Sequence, residues 1–357
     1  MYTIGFMAGH ACVRVQKMAL PLMDRGHRIF MASQKIPSFA NHYDCYTQTA
    51  SMHQLRNWVK IVAEHVDLFH VHNEPSWFVT LVKEQCDKPV ILDVHDSFLA
   101  RITPEQWQEA NDNDQELVRV CVEERNNFQL ADGLVFCSQP FGHLIKDEFG
   151  LSQPYTVVPS YLPQNLFQYA NNSDWYGGLV YEGRVDLAKD IEAKSKFKAG
   201  FQYTNYEAVA DKCKELGIDF HIYARQDSDF LEVYGDKAIC HKPVGYDKLL
   251  GRLARHDWGL VGNSFPTPEW KVAEPNKLYE YVAAGTPVVA MNADHCADIV
   301  RNDGIGIVVG SLEELRDRWP EHEERRKNLL KVRGKYAMEE HLYKLENLYE
   351  RVLTWTK

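Results

Sequence analysis

The sequence predicts an α/β protein made of two domains, each with a doubly wound, mostly parallel β-sheet. Short apolar runs typical of buried strands alternate with amphipathic helical segments along most of the chain. The alternation is interrupted at 163–176, a stretch rich in Asn and Gln, and then begins again. The length of 357 residues also suits two domains better than one.

The first half opens as a βαβ unit. A strand at 2–7 is followed by a glycine-containing turn, an amphipathic helix, Gly26 and a second strand. A long polar helix is predicted from about Pro104 to Leu130. Further strands are predicted within 65–75, 88–98, 132–138 and 155–163.

The second half repeats this alternation. Helices are predicted at 205–217, at 246–256 and from Lys277 to Ala284, where Gly285 provides a left-handed cap. Pro287 prevents further helix, because proline lacks the amide hydrogen that a helix interior needs. Strands are predicted within 177–184, 218–225, 257–264, 288–291 and 304–311.

These elements place a first domain at 1–168, a second at 169–333 and a C-terminal helix at 334–357. In doubly wound sheets ligands bind at the carboxyl ends of the strands, so we expect an interdomain cleft there. The C-terminal helix carries an apolar stripe, which must pack either on its own chain or on a second copy in a homodimer. The stripe contains Leu342, Leu345, Leu348 and Leu353, with Tyr343 and Tyr349 beside it.

Composition narrows the class of protein. A net charge of −10 disfavours a nucleic-acid partner, because phosphate backbones are bound by basic surfaces. The eight cysteines include no CxxC pair, which indicates reduced thiols instead of a disulfide framework or a zinc site. We find no signal peptide and no apolar run long enough to span a membrane. We therefore expect a cytoplasmic protein that is at most peripheral to a membrane.

Two clusters of polar residues suit a phosphate group. Asn276, Lys277 and Glu280 lie near the N-terminal end of a predicted helix, where backbone amides attract anions. Arg184 and Lys189 follow a predicted strand and could each bind a phosphate oxygen. Spacing alone leaves a second interpretation open, in which the two cations form surface ion pairs and Glu280 is an exposed helical residue.

Four segments resemble motifs of GT-B glycosyltransferases, and of glycosyltransferase family 4 in particular. "KLYEYVAAGTPVVA" is similar to the family's nucleotide-sugar motif, and "YEGRVDLAKD" to its strand followed by Gly-Arg and a later Lys. "ERNNFQLADGLVFCSQPF" is similar to the segment that closes the acceptor domain. "VVPSYLP" stands where the family usually has Pro-Asn-Gly, with Ser160 and Tyr161 in place of the last two residues. The order of these segments along the chain supports the resemblance.

The resemblance implies two Rossmann-like domains and a last helix that crosses back onto the first domain. In the second domain it implies donor binding by Gly183, Asn276, Lys277, Leu278 and Glu280, with Glu280 accepting hydrogen bonds from the ribose. It implies that Arg184 and Lys189 act catalytically by stabilising the leaving diphosphate.

One position departs from the family. A second Glu commonly stands eight residues before the ribose-binding one and contacts the donor sugar, but Val272 occupies that position here. Glu274 and Glu269 are the nearest carboxylates, and Glu274 is our candidate for contact with the donor sugar. The nucleotide assignment does not depend on this position, whereas the details of sugar recognition do.

In the first domain, His95 ends a predicted strand in "ILDVHDSF", and the resemblance makes it the active-site histidine that hydrogen-bonds the transferred sugar. A neutral imidazole at a strand end could donate to or accept from hydroxyl groups. Asp96 either orients His95 or caps the next loop. The first strand-helix turn, "MAGHACVR", adds Gly9, His10 and Arg14 as weaker candidates facing the same cleft.

Three further patterns carry less weight. Asp227 and Asp229 form an Asp-x-Asp pair, which we interpret as solvated charge in a variable loop. His70 and His72 share one face of a strand, but the sequence offers no third ligand at metal spacing, so we expect a packed strand end and no metal site. "GIGIVVG" is not a dinucleotide motif, because its glycines precede a strand instead of leading into a helix.

The functional expectation is a hexosyltransferase-type enzyme that uses a UDP- or GDP-sugar, retains anomeric configuration and needs no metal or other cofactor. The acceptor is open between a glycan, a lipid-linked glycan and a metabolite, with a modified nucleic acid disfavoured by the acidic charge. A GT-B epimerase or phosphorylase is one alternative, and a non-catalytic nucleotide-sugar-binding module is another. A NAD-dependent oxidoreductase fits worse, because the first turn lacks three correctly spaced glycines.

Overall fold

A computed structural model shows two compact α/β units. The first contains residues 1–100, 104–161 and 338–357, and the second contains 101–103 and 162–337. The main division falls between Tyr161 and Leu162, whereas the sequence analysis placed it at 168. Leu162 and Ala337, at the two ends of the second unit, form an isolated parallel bridge. The structure describes residues 1–10, 12–35, 43, 45–73, 75–101, 105, 108, 115–168, 175–189, 204–224 and 227–355.

The first unit is built on a seven-stranded parallel sheet in the order β3-β2-β1-β4-β5-β6-β7. Its strands are rich in apolar residues that are almost fully buried, as expected for a parallel sheet covered on both faces. The strands are β1 Thr3–His10, β2 Arg28–Lys35, β3 Cys45–Gln48, β4 Leu68–His72, β5 Val90–Val94, β6 Gly133–Phe136 and β7 Tyr155–Val157.

Helices connect these strands, and several begin at a side-chain cap that satisfies the first free amides. Ser51 and Ser138 each accept a hydrogen bond from the amide three residues later. The helices are α1 Val13–Asp24, α2 Met52–Ala63, α3 Phe78–Gln85, α4 Gln115–Leu130 and α5 Gln139–Phe149.

The second unit has a six-stranded parallel sheet in the order β10-β9-β8-β11-β12-β13, the order of dinucleotide-binding folds. Its strands are β8 Leu179–Glu182, β9 Phe220–Tyr223, β10 Ile239–His241, β11 Trp258–Gly262, β12 Val288–Met291 and β13 Gly306–Val309. Its helices are α6 Glu207–Leu216, α7 Ser228–Tyr234, α8 Tyr246–Leu253, α9 Pro268–Val272, α10 Asn276–Ala284, α11 Asp294–Asp303, α12 Leu312–Arg318 and α13 His322–Val332.

The last helix, α14 Leu342–Trp355, belongs to the first unit. Its leucine stripe lies in the same core cluster as strands β1 and β4, with Leu342, Leu345 and Leu348 almost fully buried and Leu353 partly so. The helix lies over Gly133 at the start of β6, where a Cβ added to the glycine would come within 2.7 Å of Val352. The stripe therefore covers the sheet of its own chain, which leaves it unsuited to a dimer contact.

The sequence prediction and the structure differ in a few elements. Strand β1 continues to His10 instead of ending at Met7, and the tail begins with 3₁₀ turns at Arg333–Tyr336 and Met338–Glu340 before α14. Strands β3 and β10 are short and partly exposed, which explains why apolar runs did not reveal them. Most of 102–114, the first part of the expected long helix, lies outside the described residues. Among the helices that are described, none has the length and apolar character to cross a bilayer.

Candidate functional site

Both sheets have a point where the strand order reverses, and parallel α/β sheets bind ligands at the carboxyl ends of the strands there. In the second unit this point lies between β8 and β11. Strand β8 ends at Glu182, so Gly183 and Arg184 follow it at this edge. The sequence prediction of a phosphate site after this strand is therefore consistent with the topology.

A cavity of about 120 Å³ lies at this edge of the second unit. Two predicted phosphate ligands, Arg184 and Lys277, line it, and Lys277 is in the first turn of α10. Pro275, the residue before α10, makes no side-chain capping bond, and the helix N-terminus adds backbone amides to the two cations. The remaining lining residues are Tyr181, Thr204, Glu269, Trp270, Ala273 and Pro275.

Aromatic rings hold the Lys277 ammonium beside this cavity. Its Nζ lies 5.2 Å from the ring centre of Tyr181 and 5.7 Å from that of Trp270, within the range of cation–π attraction. Gly183 has a φ of +121°, and a Cβ there would lie about 4.0 Å from the same Nζ. Glycine is thus favoured by the backbone conformation, whereas a side chain would find ordinary contact distances there.

The structure pairs Arg184 and Lys189 each with a carboxylate. Arg184 Nε lies 2.7 Å from Asp186, and Lys189 Nζ lies 2.6 Å from Asp229. The side chains of Arg184 and Lys189 are 60% and 55% exposed, so these are surface ion pairs. Such pairs are weak and screened by water, and a multiply charged anion can compete with the carboxylate for the cation.

Asp227 and Asp229 have local roles that the sequence prediction of a variable, solvated loop missed. The Asp227 carboxylate accepts a hydrogen bond of 2.9 Å from the amide of Phe230 and so caps the start of α7. Asp229 is exposed, as expected, but it is the partner of Lys189. Asp227 is therefore a helix cap, and Asp229 is a member of an ion pair.

The remaining predicted donor ligands, Asn276, Leu278 and Glu280, lie on α10. Asn276 and Glu280 are one turn apart and share a helix face. Glu280 is 2% exposed, and its neighbour Tyr246 has a pKa well above the ordinary value because of burial and then of the Glu280 charge. The alternative interpretation of Glu280 as an exposed helical residue was wrong. Leu278 is fully buried, so only its backbone can face a ligand.

Glu274 is engaged within the protein and lies outside the cavity lining. One carboxylate oxygen accepts a hydrogen bond from the Tyr279 hydroxyl, and the other lies 2.8 Å from Nε2 of His295. The side chain is almost completely buried. A contact with a donor sugar would require these bonds to be exchanged.

The first unit contains a buried ionic network that centres on Asp93, a β5 residue that the sequence analysis missed. Arg14 donates two hydrogen bonds of 2.8 Å to the two oxygens of Asp93 and others to the Ser160 hydroxyl and the Val158 carbonyl. Both charged side chains are almost completely buried. Burial raises the pKa of Asp93, but Arg14, His72 and His95 together outweigh it and hold that pKa well below the ordinary range. Arg14 is therefore a structural partner of Asp93, not the ligand-facing residue we expected.

His95 is the predicted active-site residue that this network controls. Its Nδ1 lies 2.9 Å from Asp93 Oδ1. Burial lowers the pKa of the imidazole, but the bond to Asp93, the neighbouring Cys12 thiol and the charge of Asp93 together outweigh this, and the pKa is raised to about 10. The ring is consequently an imidazolium at neutral pH, not the neutral group that the sequence analysis assumed, and it can only donate hydrogen bonds.

The other candidates in this unit need correction. Asp93, not Asp96, orients the ring of His95, since Asp96 Oδ2 lies 4.0 Å from Nε2. Gly9 and His10 lie within strand β1 and not in a turn, and Gly9 is buried. The sequence already indicated that Asp93 lies beside His95, because residues two apart on a strand share a face. Asp93 and His95 were therefore predictable as neighbours from "DVH".

His70 and His72 gain the third neighbour that the sequence did not reveal. Ligand atoms of His70, His72 and Asp93 lie within 4.8 Å of one another, because His72 is in register with Asp93 on the adjacent strand. The two imidazoles are stacked face to face, with ring centres 4.7 Å apart. Arg14 already occupies both oxygens of Asp93, so this group is held by an internal cation and offers poor geometry for a metal.

Comparison with known proteins supports the fold and the domain type. Residues 201–335 match the family model "Glucosyltransferase 3-like, C-terminal domain". No curated protein sequence gives a significant match.

Among solved structures, sucrose-phosphate synthase from Thermosynechococcus elongatus is 14% identical, covers 99% of this chain and 100% of its own, and superposes with a TM-score of 0.67. Anabaena HepE in complex with UDP-glucose is 13% identical over 99% of this chain and 98% of its own, with a TM-score of 0.64. Thermobaculum terrenum O-GlcNAc transferase is 14% identical over 99% of this chain and 68% of its own, with a TM-score of 0.58. The chain therefore has the GT-B fold, and its residues 201–335 resemble a glucosyltransferase C-terminal domain.

Proposed function

We propose that this protein is a glycosyltransferase that uses a nucleotide-sugar donor, bound by the second unit. The observation that carries the proposal is the cavity at the N-terminus of α10, lined by Lys277 and Arg184 at the reversal point of the sheet. Two cations and a helix N-terminus suit a diphosphate, which is the part common to all nucleotide-sugar donors. The family match over residues 201–335 supports the same assignment.

In this proposal Arg184, Lys189 and Lys277 stabilise the negative charge that grows on the diphosphate as the glycosidic bond breaks. Arg184 and Lys189 would exchange their surface carboxylates for phosphate oxygens, and Lys277 is already held beside the cavity by aromatic rings. Each well-placed donor supplies about 3 kcal/mol of transition-state stabilisation. Side-chain cations would then take the place of a metal ion, and the resemblance to family 4 implies retention of anomeric configuration.

We assign the acceptor to the first unit, with His95 donating a hydrogen bond to a hydroxyl group of the transferred sugar. The charged state of His95, fixed by Asp93, suits a group that stabilises developing negative charge on oxygen. The acceptor itself is a glycan, a lipid-linked glycan or a metabolite. The bound UDP-glucose in the HepE structure makes UDP-sugars the first donors to test, with GDP-sugars second.

A second candidate is a binding module that retains donor affinity without turnover. It is favoured by Val272 at the usual sugar-contacting position and by the internal bonds of Glu274 to Tyr279 and His295. The two candidates differ in one measurable property, which is turnover of a bound donor.

A thermal-shift panel of UDP-, GDP-, ADP- and dTDP-glucose tests donor binding. A ligand present at 100 times its Kd stabilises the folded protein by about 2.7 kcal/mol, which gives a rise in Tm of several degrees. The donor that gives this rise is then incubated with the protein and candidate acceptors, and release of the nucleoside diphosphate is measured. Binding without release supports the binding module, and the absence of any Tm shift across the panel contradicts both candidates.

The proposed ribose contact is tested at Glu280. We expect Glu280→Gln to weaken binding of the free nucleoside diphosphate about tenfold, because a neutral amide replaces a carboxylate that accepts from both hydroxyls. Isothermal calorimetry measures the affinity, and the Tm without ligand reports whether the buried substitution disturbs the fold. An unchanged affinity in a folded variant would remove the ribose role.

Metal independence is tested by chelation. We expect EDTA to leave turnover unchanged, because the cavity supplies its own positive charge. Turnover that falls with EDTA and returns with Mn²⁺ or Mg²⁺ would direct attention to the exposed carboxylates Asp227 and Asp229.

A further inference from the structure

A second cavity lies in the first unit, where α14 packs beside strand β7 at the edge of the sheet. Its volume is about 180 Å³, larger than the cavity of about 120 Å³ that we assign to the donor diphosphate. Tyr155 begins β7, whereas His95 follows the carboxyl end of β5, so this cavity is separate from the site around His95. The lining residues are Tyr155, Thr156, Tyr343, Lys344, Asn347, Leu348 and Arg351.

Helix α14 supplies one wall of the cavity through a single face. Lys344, Asn347, Leu348 and Arg351 are spaced by three, four and seven residues and therefore lie on the same side of the helix. Leu348 belongs to the buried core, whereas Asn347 and Arg351 are exposed. The cavity thus has an apolar floor and a polar, positively charged rim.

The charge of this rim differs from that of the protein as a whole. Lys344 and Arg351 line the cavity, and none of the described lining residues is acidic. The acidic residues of α14 lie on another face, because Glu346 pairs with Arg25 at 2.8 Å and Glu350 follows it by one turn. In a chain with a net charge of −10, a cavity lined by cations without carboxylates favours an anionic ligand.

Arg351 is placed to bind such an anion. It makes no ion pair with any residue that the structure describes, unlike Arg25 of the same unit. A guanidinium can donate two parallel hydrogen bonds to one carboxylate or phosphate group. Lys146 of α5 adds positive charge at the opposite wall, where its Nζ lies 3.8 Å from the ring centre of Tyr155.

The uncharged lining residues suit a sugar ring. Tyr343 is 51% exposed, although a tyrosine on a packed helix would ordinarily be covered. The C–H face of a pyranose is apolar and can pack on such a ring. The Asn347 amide and the Thr156 hydroxyl can both donate to and accept from sugar hydroxyls.

We propose that this cavity binds a carbohydrate that carries a carboxylate or phosphate group, and that it is an auxiliary glycan site separate from donor binding. Arg351 and Lys344 hold the anionic group, and Tyr343 packs against the ring. This inference goes beyond the proposed transfer reaction and does not depend on it, because binding at this cavity requires no turnover.

The test measures binding of four small probes to the full-length protein by saturation-transfer NMR titration. The probes are glucuronate, glucose 6-phosphate, glucose and inorganic phosphate. We expect at least one of the two anionic sugars to bind about tenfold more tightly than glucose and than phosphate, because only these probes use both the cations and the aromatic ring. The tighter of the two distinguishes a carboxylate ligand from a phosphate ligand. Saturating UDP should leave this affinity unchanged, because the donor cavity belongs to the second unit.

Variants on the rim locate the binding. Arg351→Met should weaken binding of the preferred anionic sugar about tenfold, and Tyr343→Ala should weaken it several-fold, whereas Tyr343→Phe keeps the ring and most of the affinity. Arg56→Met, which changes an exposed arginine on α2, is the matched control and should bind normally. The Tm without ligand shows that each variant is folded.

Four outcomes would overturn the proposal. They are no binding of either anionic sugar at millimolar concentration, equal affinity for glucose or for phosphate alone, displacement by UDP, and wild-type affinity in a folded Arg351→Met variant.

Discussion

The two units treat charge in opposite ways at the edges where their strands end. In the first unit, Arg14 and Asp93 are almost fully buried, and Asp93 orients His95 and raises its pKa. In the second unit, Arg184 and Lys189 are more than half exposed, and each is paired with a surface carboxylate.

This difference follows from what each pair must do. A buried ion pair is costly to break, because removing one partner leaves an uncompensated charge away from water. A buried ion pair therefore suits a site in which the charge of a neighbouring group must stay constant. An exposed pair contributes little to stability and can be exchanged for a ligand at small cost, which suits residues that bind and release a phosphate.

The buried pair gives the largest expected effect. We expect Arg14→Met to lower the free energy of unfolding of the first unit by about 3 to 5 kcal/mol, because Asp93 would remain charged and buried. Chemical denaturation followed by a probe in the first unit measures the change. Arg56→Met is the matched control, since Arg56 is an exposed arginine of the same unit, 3.9 Å from Glu84, and its loss should cost less than about 1 kcal/mol.

A double variant sharpens this test. Arg14→Met combined with Asp93→Asn removes both charges and should recover a large part of the lost stability. Equal losses in Arg14→Met and Arg56→Met would mean that burial of the first pair is unimportant for the fold.

Lys277 lines the cavity of the second unit beside two aromatic rings, and its loss should have the next largest effect. We expect Lys277→Met to weaken binding of a nucleoside diphosphate about 10- to 100-fold, because a hydrogen bond to a charged group is worth about 1.5 to 3 kcal/mol. Calorimetry measures the Kd. Lys271→Met, an exposed lysine on α9 outside the cavity lining, is the control and should bind normally. Similar affinities in the two variants would contradict the phosphate site.

His221 and His256 of the second unit contrast with His95, because their pKa values are lowered whereas that of His95 is raised. Burial lowers the pKa of His256 to about 3 and that of His221 to about 4, and His221 lies 2.9 Å from His241. Above pH 6.5 these rings are neutral in both the folded and the unfolded state, so stability is complete there. As pH falls towards the folded pKa, the unfolded state takes up protons first, and stability is lost.

At pH 5.5 we expect His256 alone to account for a loss of about 1 kcal/mol relative to pH 7.5. His256→Asn should flatten the dependence of Tm on pH over this interval, although its absolute Tm will differ. His143→Asn, which removes an exposed histidine of the first unit, should leave the slope unchanged. A slope in His256→Asn equal to that of the wild type would assign the acid sensitivity to other groups.

The exposed pair between Lys189 and Asp229 should give the smallest effect on stability. Lys189→Met and Asp229→Asn should both leave Tm within experimental error, because the pair is solvent-exposed. Turnover should nevertheless fall in Lys189→Met and stay near the wild-type value in Asp229→Asn, since the proposal gives only the lysine a phosphate to bind. Equal turnover in both variants and the wild type would make Lys189 a surface residue only.

Much of the fold was predictable because it follows local pattern. The strand at Val288–Met291 and the left-handed cap at Gly285 were expected from a helix that ends in Gly-Thr-Pro before an apolar run, and both are present. The strands that were missed, Cys45–Gln48 and Ile239–His241, lie at one edge of each sheet and are partly exposed, so their sequences lack a continuous apolar run.

The candidate site was predictable only in part. Arg184 and Lys277 follow from the motif, and both line the cavity. Their neighbours Tyr181 and Trp270 did not attract attention, because an aromatic residue in a strand or helix usually signals core packing. Glu280 was correctly placed on α10, but its burial and its interaction with Tyr246 from another helix were not predicted.

By itself the sequence determined the alternation of strands and helices, the apolar stripe of the last helix and the positions of most candidate ligands, because these depend on neighbours along the chain. Only the tertiary structure decided the charge of His95 and the partner of Arg14. Arg14 and Asp93 are 79 residues apart, and Ser160 is 146 residues from Arg14. A pKa depends on burial and on charges a few ångströms away, and these distances exist only after the sheet has brought β5, β7 and α1 together.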